Sequence, residues 1–175
     1  MDTIQETVEE LNNITDCDFF DFKSVHLAKV VKCYDGDTIH CIFKMDNKYQ
    51  KFKVRLYGYD SPEMKPSLSM EPTLRADVIK KANAAKKQIE DFVLNKNVYL
   101  FCLGSDKYGR VLANIKLNPD DDKFINDHMI SLGFGYEYFG GTKNWLCNWI
   151  IILFIISINK IINGSATHSR SHKRW

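Results

Sequence analysis

The chain has 175 residues, 45% of them hydrophobic and 26% charged, which is typical of one globular domain with short extensions. This composition excludes a collagen-like, coiled-coil or wholly disordered chain. The net charge is only +2, but residues 1–22 hold seven acids and no base, and residues 145–175 hold four bases and no acid. The middle of the chain is moderately basic, which suits an anionic partner, although such a charge also serves solubility alone.

Residues 1–22 form an acidic N-terminal extension. Its apolar residues recur at helical spacing: Ile4, Val8, Leu11 and Ile14. A short amphipathic helix is one interpretation, and a solvated lead-in is the other. The segment lacks the basic and apolar regions of a secretory signal peptide, and the five cysteines show no CxxC spacing. Both observations predict an intracellular protein with reduced thiols.

Three strands are predicted in the first half of the chain. Residues 26–34 and 38–45 have strand-like patterns on either side of a short Asp-Gly-Asp junction. Residues 51–56 alternate between apolar side chains on one face and Lys or Arg on the other. Short strands joined by tight connections predict a meander that curls into a barrel.

The second half of the chain predicts two helices and two more strands. Three prolines within residues 61–72 mark a loop, and a helix with one apolar stripe follows from Thr73 to Phe92. Residues 98–103 and 111–117 read as strands, and Asp120–Asp122 are expected to cap a helix over residues 123–132. This order predicts an α+β fold in which a small barrel is the sheet.

Charged residues are concentrated in three segments at the ends of predicted strands. These segments are Asp35-Gly36-Asp37-Thr38, residues 55–63 (RLYGYDSPE) and residues 105–110 (SDKYGR). Each segment alone is also explained without a function: the first as a plain turn, the second as a surface loop with a salt bridge, and the third as a charged hairpin.

Together, the charged side chains of these segments have the chemistry that phosphodiester hydrolysis needs. Asp37 and Asp60 are hard oxygen ligands of the kind that Ca²⁺ or Mg²⁺ takes. Arg55 and Arg110 suit phosphate oxygens, because a guanidinium donates two parallel hydrogen bonds and keeps its charge. Glu63 remains as a carboxylate that can orient or deprotonate a water molecule. A metal and two arginines stabilise the charge that develops on the attacked phosphate.

The three segments resemble the motifs of the thermonuclease family, whose best-known member is staphylococcal nuclease. The DGDT, R-L-x-G-x-D-[ST]-P-E and D-K-Y-G-R motifs occur in the family's order, and the resemblance runs from about Lys29 to about Tyr138. It implies an OB-fold, a five-stranded β-barrel with packed helices. It also implies a Ca²⁺-dependent endonuclease that hydrolyses phosphodiester bonds of DNA and RNA, with the 5′-oxygen as the leaving group.

The resemblance also implies roles for ten residues. Three match catalytic positions of the family: Arg55, Glu63 and Arg110. Three match the positions that bind one Ca²⁺ ion, the last through its main-chain carbonyl: Asp37, Asp60 and Ser61. Four match positions that contact the substrate: Lys107, Tyr108, Tyr136 and Tyr138. Mg²⁺ is the less favoured metal, single-stranded DNA or RNA is the expected substrate, and a monomer is expected.

The motifs predict a nuclease domain over residues 23–144 and a tail over residues 145–175 that is first hydrophobic and then basic. Residues 145–162 would span about 27 Å as a helix, which is marginal for crossing a bilayer. The alternatives are an extra buried strand or helix and a tail without a function. The protein is therefore expected to be cytoplasmic or tail-anchored to a membrane.

A catalytically silent OB-fold that binds nucleic acid, with or without a membrane tether, is the alternative function. It is disfavoured because a silent protein has no need to keep Asp37, Asp60, Glu63 and the two arginines together. The hydrolytic interpretation therefore depends on whether these side chains meet in one cleft.

Overall fold

The computed structural model describes residues 23–141. In this range the chain forms strands β1–β7 and helices α1 and α2. In chain order these are β1 (Val25–Cys33), β2 (Thr38–Met45), β3 (Lys48–Leu56), β4 (Tyr59–Asp60), α1 (Pro72–Val93), β5 (Asn97–Ser105), β6 (Val111–Lys116), α2 (Ile125–Ser131) and β7 (Tyr136–Glu137).

Five strands form a closed barrel in the order β1-β2-β3-β6-β5. β3 and β6 pair in parallel, and the other neighbours pair antiparallel. Closure leaves the barrel without free sheet edges, so its five strands satisfy one another's backbone groups. The predicted α+β fold, a five-stranded barrel with packed helices, is confirmed.

Alternation along each strand builds the core inside the barrel. Val30, Cys41, Val54, Leu100 and Ala113 face inward and are fully buried, whereas their strand neighbours face outward. Such alternation is what a strand with one buried face requires.

The cysteines among the described residues are part of this core. Cys33, Cys41 and Cys102 are buried free thiols. Burial raises the pKa of Cys33 to about 12 and that of Cys102 to about 11. These thiols therefore stay protonated near neutral pH.

The long helix α1 closes one side of the barrel with its small and branched residues. Ala82, Ala85, Ile89 and Val93 are buried against the sheet. Before the helix, the Glu71 side chain accepts hydrogen bonds from the N–H groups of Thr73 and Leu74, which satisfies donors that have no partner inside the helix. The predicted helix is confirmed, whereas the cap had no counterpart in the sequence analysis.

The short helix α2 begins later than predicted. Its first residue is Ile125, and the preceding Phe124 makes no capping hydrogen bond through its side chain. The prediction that Asp120–Asp122 cap this helix was wrong. Asp121 instead accepts a 2.9 Å hydrogen bond from the N–H of Asn118, because the turn before α2 uses the carboxylate locally.

A second sheet, formed by the two-residue strands β4 and β7, was not predicted. It pairs Tyr59 with Glu137 and Asp60 with Tyr136, so it ties the loop after β3 to the segment after α2. The chains approach closely there, because a Cβ atom on Gly135 would lie 2.3 Å from the carbonyl oxygen of Asp60. This contact holds Asp60 in the interior.

Two predictions fall outside the described residues: the helix in residues 1–22 and the membrane segment in residues 145–162. Within residues 23–141, no helix combines the length and the apolar character that crossing a bilayer would take.

Candidate active site

The turn between β1 and β2 is organised by its first carboxylate. Asp35 Oδ1 accepts hydrogen bonds from the N–H groups of Asp37, at 3.1 Å, and Thr38, at 2.7 Å. Only glycine fits between these residues, because a Cβ atom on Gly36 would lie 2.7 Å from the Cβ of Ser61. The turn therefore packs directly against the loop that follows β4 and directs Asp37 toward it.

Asp37, Arg55 and Asp60 form a buried charged cluster at the floor of the site. Arg55 pairs through Nη1 with Asp37 and through Nη2 with Asp60, the second at 2.5 Å. The exposed fractions are 7% for Asp37, 8% for Arg55 and 0% for Asp60. One guanidinium thus pairs with two carboxylates that come from different segments of the chain.

Electrostatics favour the charged forms of Asp37 and Arg55 despite their burial. Burial by itself raises the pKa of Asp37, but the charge and hydrogen bonds of Arg55, helped by Ser61 and Thr38, hold that pKa below its usual value. Burial similarly lowers the pKa of Arg55, and the two carboxylates outweigh this effect and raise it. Asp37 and Arg55 therefore each stabilise the charged form of the other.

Ser61 and Glu63 extend the floor toward solvent. The N–H and Oγ of Ser61 donate to Asp37 Oδ2 at 3.0 and 3.1 Å. Glu63 is exposed, lines the cleft, and accepts a 3.3 Å hydrogen bond from the N–H of Lys65. Its carboxylate therefore has access to water and to a bound ligand.

The turn between β5 and β6 brings Arg110 to the same place. Asp106 Oδ1 accepts from the N–H groups of Tyr108 and Arg110, both at 2.9 Å, and its Oδ2 accepts from Arg110 Nε at 2.7 Å. The guanidinium then reaches across and donates to Thr38 Oγ1 at 3.3 Å. Asp106 orients Arg110, a role that the motif contained and the sequence analysis did not assign.

The four predicted substrate-contacting residues lie at different depths. Tyr108 is 72% exposed, and Lys107 Nζ lies 5.1 Å from the centre of its ring. Tyr138 lines the cleft. Tyr136 is buried, is not among the described lining residues, and donates a 2.9 Å hydrogen bond to Asp60 Oδ2. The structure therefore places Tyr136 beneath the cleft, where it supports Asp60.

These segments enclose a cleft of about 290 Å³. Eight of the ten predicted site residues line it: Asp37, Arg55, Ser61, Glu63, Lys107, Tyr108, Arg110 and Tyr138. Asp60 and Tyr136 lie behind it and join it through their hydrogen bonds to Arg55 and to each other. Asp35, Pro62 and Met64 also line the cleft and had no predicted role there. The three charged segments thus meet in one place.

Comparisons with known proteins agree with this architecture. A family model described as "Staphylococcal nuclease homologue" matches residues 53–144, a range that includes the second and third motifs. The chain is 34% identical over 111 residues to a Haemophilus influenzae protein named "Uncharacterized endonuclease", covering 63% of this chain and 52% of that protein. It is 31% identical over 141 residues to an uncharacterized protein of Methanocaldococcus jannaschii, covering 73% of this chain and 65% of that protein. The chain therefore spans less than two thirds of the length of either relative.

The matched range covers more than half of the chain and contains β6, both helices and most of the cleft. The chain belongs to the staphylococcal nuclease homologue family.

Proposed function

We propose that this protein is a metal-dependent nuclease that hydrolyses phosphodiester bonds of DNA or RNA, with the 5′-oxygen as the leaving group. The observation that carries the proposal is the meeting of Arg55, Glu63 and Arg110 in one cleft above two buried carboxylates. Family membership and the endonuclease name of one relative support it.

Arg55, Arg110 and Glu63 divide the chemistry among them. Arg110 is anchored by Asp106 and offers its remaining N–H groups to a phosphoryl or leaving oxygen, where negative charge develops. Arg55 presents a second guanidinium to the same phosphate. Glu63 faces the cleft as the general base that removes a proton from the attacking water.

Single-stranded nucleic acid is the substrate that the rim of the cleft suits best. Lys107 offers a positive charge to a neighbouring phosphate, and the exposed ring of Tyr108 offers a surface for a base. Tyr138 provides a second ring in the lining of the cleft. Stacking on such rings requires an unpaired base, which a duplex does not present.

The donor set at the floor fits one divalent cation. Asp37 and Asp60 converge on a single guanidinium, so a cation between them would find two hard oxygen donors, and the main-chain carbonyl of Ser61 would be the third. Burial raises the pKa of the Tyr59 hydroxyl, and the negative charges of Asp37 and Asp60 raise it further. Such an ion, Ca²⁺ before Mg²⁺, would polarise the phosphate and activate water.

Binding of a cation to Asp37 would change the hydrogen bonds that this carboxylate makes. All four acceptor positions of Asp37 are used, by Arg55, Thr38 and the two donors of Ser61. A cation would replace one of these donors. Within residues 23–141, no group of three or more His, Cys, Asp or Glu side chains has metal-binding geometry, so the proposed site depends on two carboxylates and a carbonyl.

The test is a nuclease assay of the full chain on single-stranded DNA with Ca²⁺, Mg²⁺ or EDTA. We expect cleavage with Ca²⁺ and none with EDTA, and we expect Glu63→Gln and Arg110→Gln each to lower the rate by about 10²-fold or more, because each removes one group that acts in the transition state. Glu137→Gln and Arg75→Gln are matched controls outside the cleft. Full activity in Arg110→Gln would reject the site assignment, and tight binding without product would favour the silent OB-fold.

A further inference from the structure

The sheet face that carries Arg55 continues beyond the cleft onto the outside of the barrel. Thr38 and Arg55 are opposite each other in the register of β2 and β3; Arg55 lines the cleft, and Thr38 contacts Arg110. Alternate residues of a strand share a face, so the next pairs in this register lie on the same side. These pairs are His40 with Lys53 and Ile42 with Lys51.

Lysines cover this continuation. On β1, the register places Lys32 beside His40 and Lys29 beside Ile42. Each of these two β2 residues therefore has a lysine beside it on β1 and another beside it on β3. Lys44 comes two residues after Ile42 on β2, opposite Tyr49, so it lies on the same face. We call the set the basic sheet face, and it consists of Lys29, Lys32, Lys44, Lys51 and Lys53. All five are exposed, and none of them forms a salt bridge within residues 23–141.

The charges are close enough to act on one another. Burial lowers the pKa of His40, and the positive charges of Lys32, Lys51 and Lys53 lower it further. Placing like charges together without a described carboxylate partner is unfavourable, and a bound polyanion would relieve the repulsion.

An aromatic ring stands between the basic sheet face and the cleft. Tyr34 stacks on His40, with ring centres 6.5 Å apart and planes 9° apart, and it is 56% exposed. It directly precedes Asp35, which lines the cleft. An exposed ring beside lysines is the combination that holds single-stranded nucleic acid, because bases stack while phosphates contact the charges.

We propose that the basic sheet face binds the part of a single-stranded nucleic acid that extends beyond the ester in the cleft, with phosphates on its lysines and a base on Tyr34. The proposal rests on the proposed function, which supplies the strand. Along β3, Lys53 and Lys51 lie about 7 and 13 Å from Arg55, so the face is long enough for successive phosphates.

The test measures binding of a labelled oligothymidine of about 16 nucleotides to the full chain, in EDTA, over a series of salt concentrations. The variant is Lys51→Gln with Lys53→Gln. The matched control, Lys80→Gln with Lys123→Gln, removes two exposed lysines from outside the face and changes the net charge equally. We expect the slope of log affinity against log salt to fall by about 1.4 for the variant and to stay unchanged for the control, because each lost phosphate contact removes about 0.7. Slopes that match the wild type overturn the proposal.

Cleavage with Ca²⁺ separates this proposal from the proposed function. For the wild type and the control, KM should be lower for the long oligonucleotide than for a dinucleotide. For the Lys51/Lys53 variant the two KM values should be similar, because the oligonucleotide loses its contacts beyond the cleft. If no protein cleaves any substrate, the proposed function fails, and the salt slopes in EDTA still decide whether this face binds nucleic acid.

Discussion

At the scale of single residues, Arg55 is the centre of the site. It comes from β3, pairs with Asp37 from the β1–β2 turn and with Asp60 from β4, and has little exposure. Burying an unpaired carboxylate raises the free energy of the folded state. The single side chain of Arg55 pairs with both carboxylates and so offsets this cost for each of them. The same arrangement keeps Asp37 and Asp60 close together and holds the pKa of Asp37 below its usual value, which a cation-binding site also requires.

Replacing this arginine tests the pairing. Arg55→Gln should lower the free energy of unfolding by about 3–5 kcal/mol, because two buried carboxylates lose their counter-charge. Urea unfolding in EDTA measures the change, and Arg75→Gln on α1 is the control, with an expected change within about 0.5 kcal/mol. Added Ca²⁺ should recover part of the loss. A loss below about 1 kcal/mol for Arg55→Gln would contradict the pairing as described.

Asp106 predicts a pH-dependent contribution to stability. Burial alone raises its pKa, but hydrogen bonds from Arg110 and Tyr108 and the charge of Arg110 hold the pKa below its usual value. A lowered pKa in the folded state means that the carboxylate stabilises the fold above its unfolded pKa of about 4 and that this stabilisation is lost as the pH falls further.

The measurement compares urea unfolding of the wild type and Asp106→Asn at neutral and acidic pH. The wild type should be the more stable protein near pH 7, and the difference should shrink below about pH 4. Asparagine keeps an oxygen for the N–H groups of Tyr108 and Arg110, but its amide nitrogen cannot accept from Arg110 Nε, so the variant removes the charge and that one hydrogen bond together. A difference that does not change with pH would show that the turn depends on hydrogen bonds alone.

At the scale of elements, one buried side chain joins α2 to the barrel. Asn126 accepts from the N–H of Ile115 on β6 and donates to the carbonyl oxygens of Tyr57 and Ala113. It is 2% exposed. A helix with a weak N-terminal cap is thus positioned by tertiary hydrogen bonds, and these bonds in turn position the segment that leads to β7.

Removing this amide should destabilise the protein strongly for a single polar residue. Asn126→Ala leaves the N–H of Ile115 buried without its acceptor, which predicts a loss of about 2–3 kcal/mol in the free energy of unfolding. Chemical denaturation measures it, with Asn118→Ala as the exposed control and an expected change within about 0.5 kcal/mol. Equal stability of the two variants would contradict the structural role of Asn126.

At the scale of the whole molecule, the barrel and both helices lie within residues 23–141, so we propose that residues 23–144 are a domain that needs no further segment to fold. The strand pairing of β1 with β5 and of β5 with β6 already closes the sheet. This leaves residues 145–162 as the membrane anchor, the extra buried element or the tail without a function that the sequence predicts.

Truncation distinguishes these three. We expect a chain of residues 1–144 to unfold cooperatively. Anchoring predicts that the full chain is found in the membrane fraction and that the 1–144 chain is not, because only residues 145–162 are apolar enough to anchor it. Circular dichroism and cell fractionation provide the two readouts. Loss of cooperative unfolding would show that the tail is part of the fold, and identical fractionation of both chains would contradict anchoring.

Much of the fold was predictable because it depends on local patterns. The alternation in residues 51–56 predicted β3. The apolar stripe from Leu74 to Phe92 predicted α1, and the predicted helix ends almost where the observed helix does. β4 and β7 could not be predicted, because two-residue strands have no periodicity and exist only through their pairing. The predicted cap of α2 was wrong because the carboxylate of Asp121 accepts a hydrogen bond from the nearby N–H of Asn118.

The sequence by itself determined which motifs are present, their order, and that they contain the types of side chain that hydrolysis of a phosphodiester needs. Only the tertiary structure decided that Arg55 lies between Asp37 and Asp60, that Tyr136 supports Asp60 from below, and that lysines extend the cleft across the sheet. The physical reason is that charge pairing and strand register act between residues far apart in the chain, and closure of the barrel is what brings them within a few ångströms.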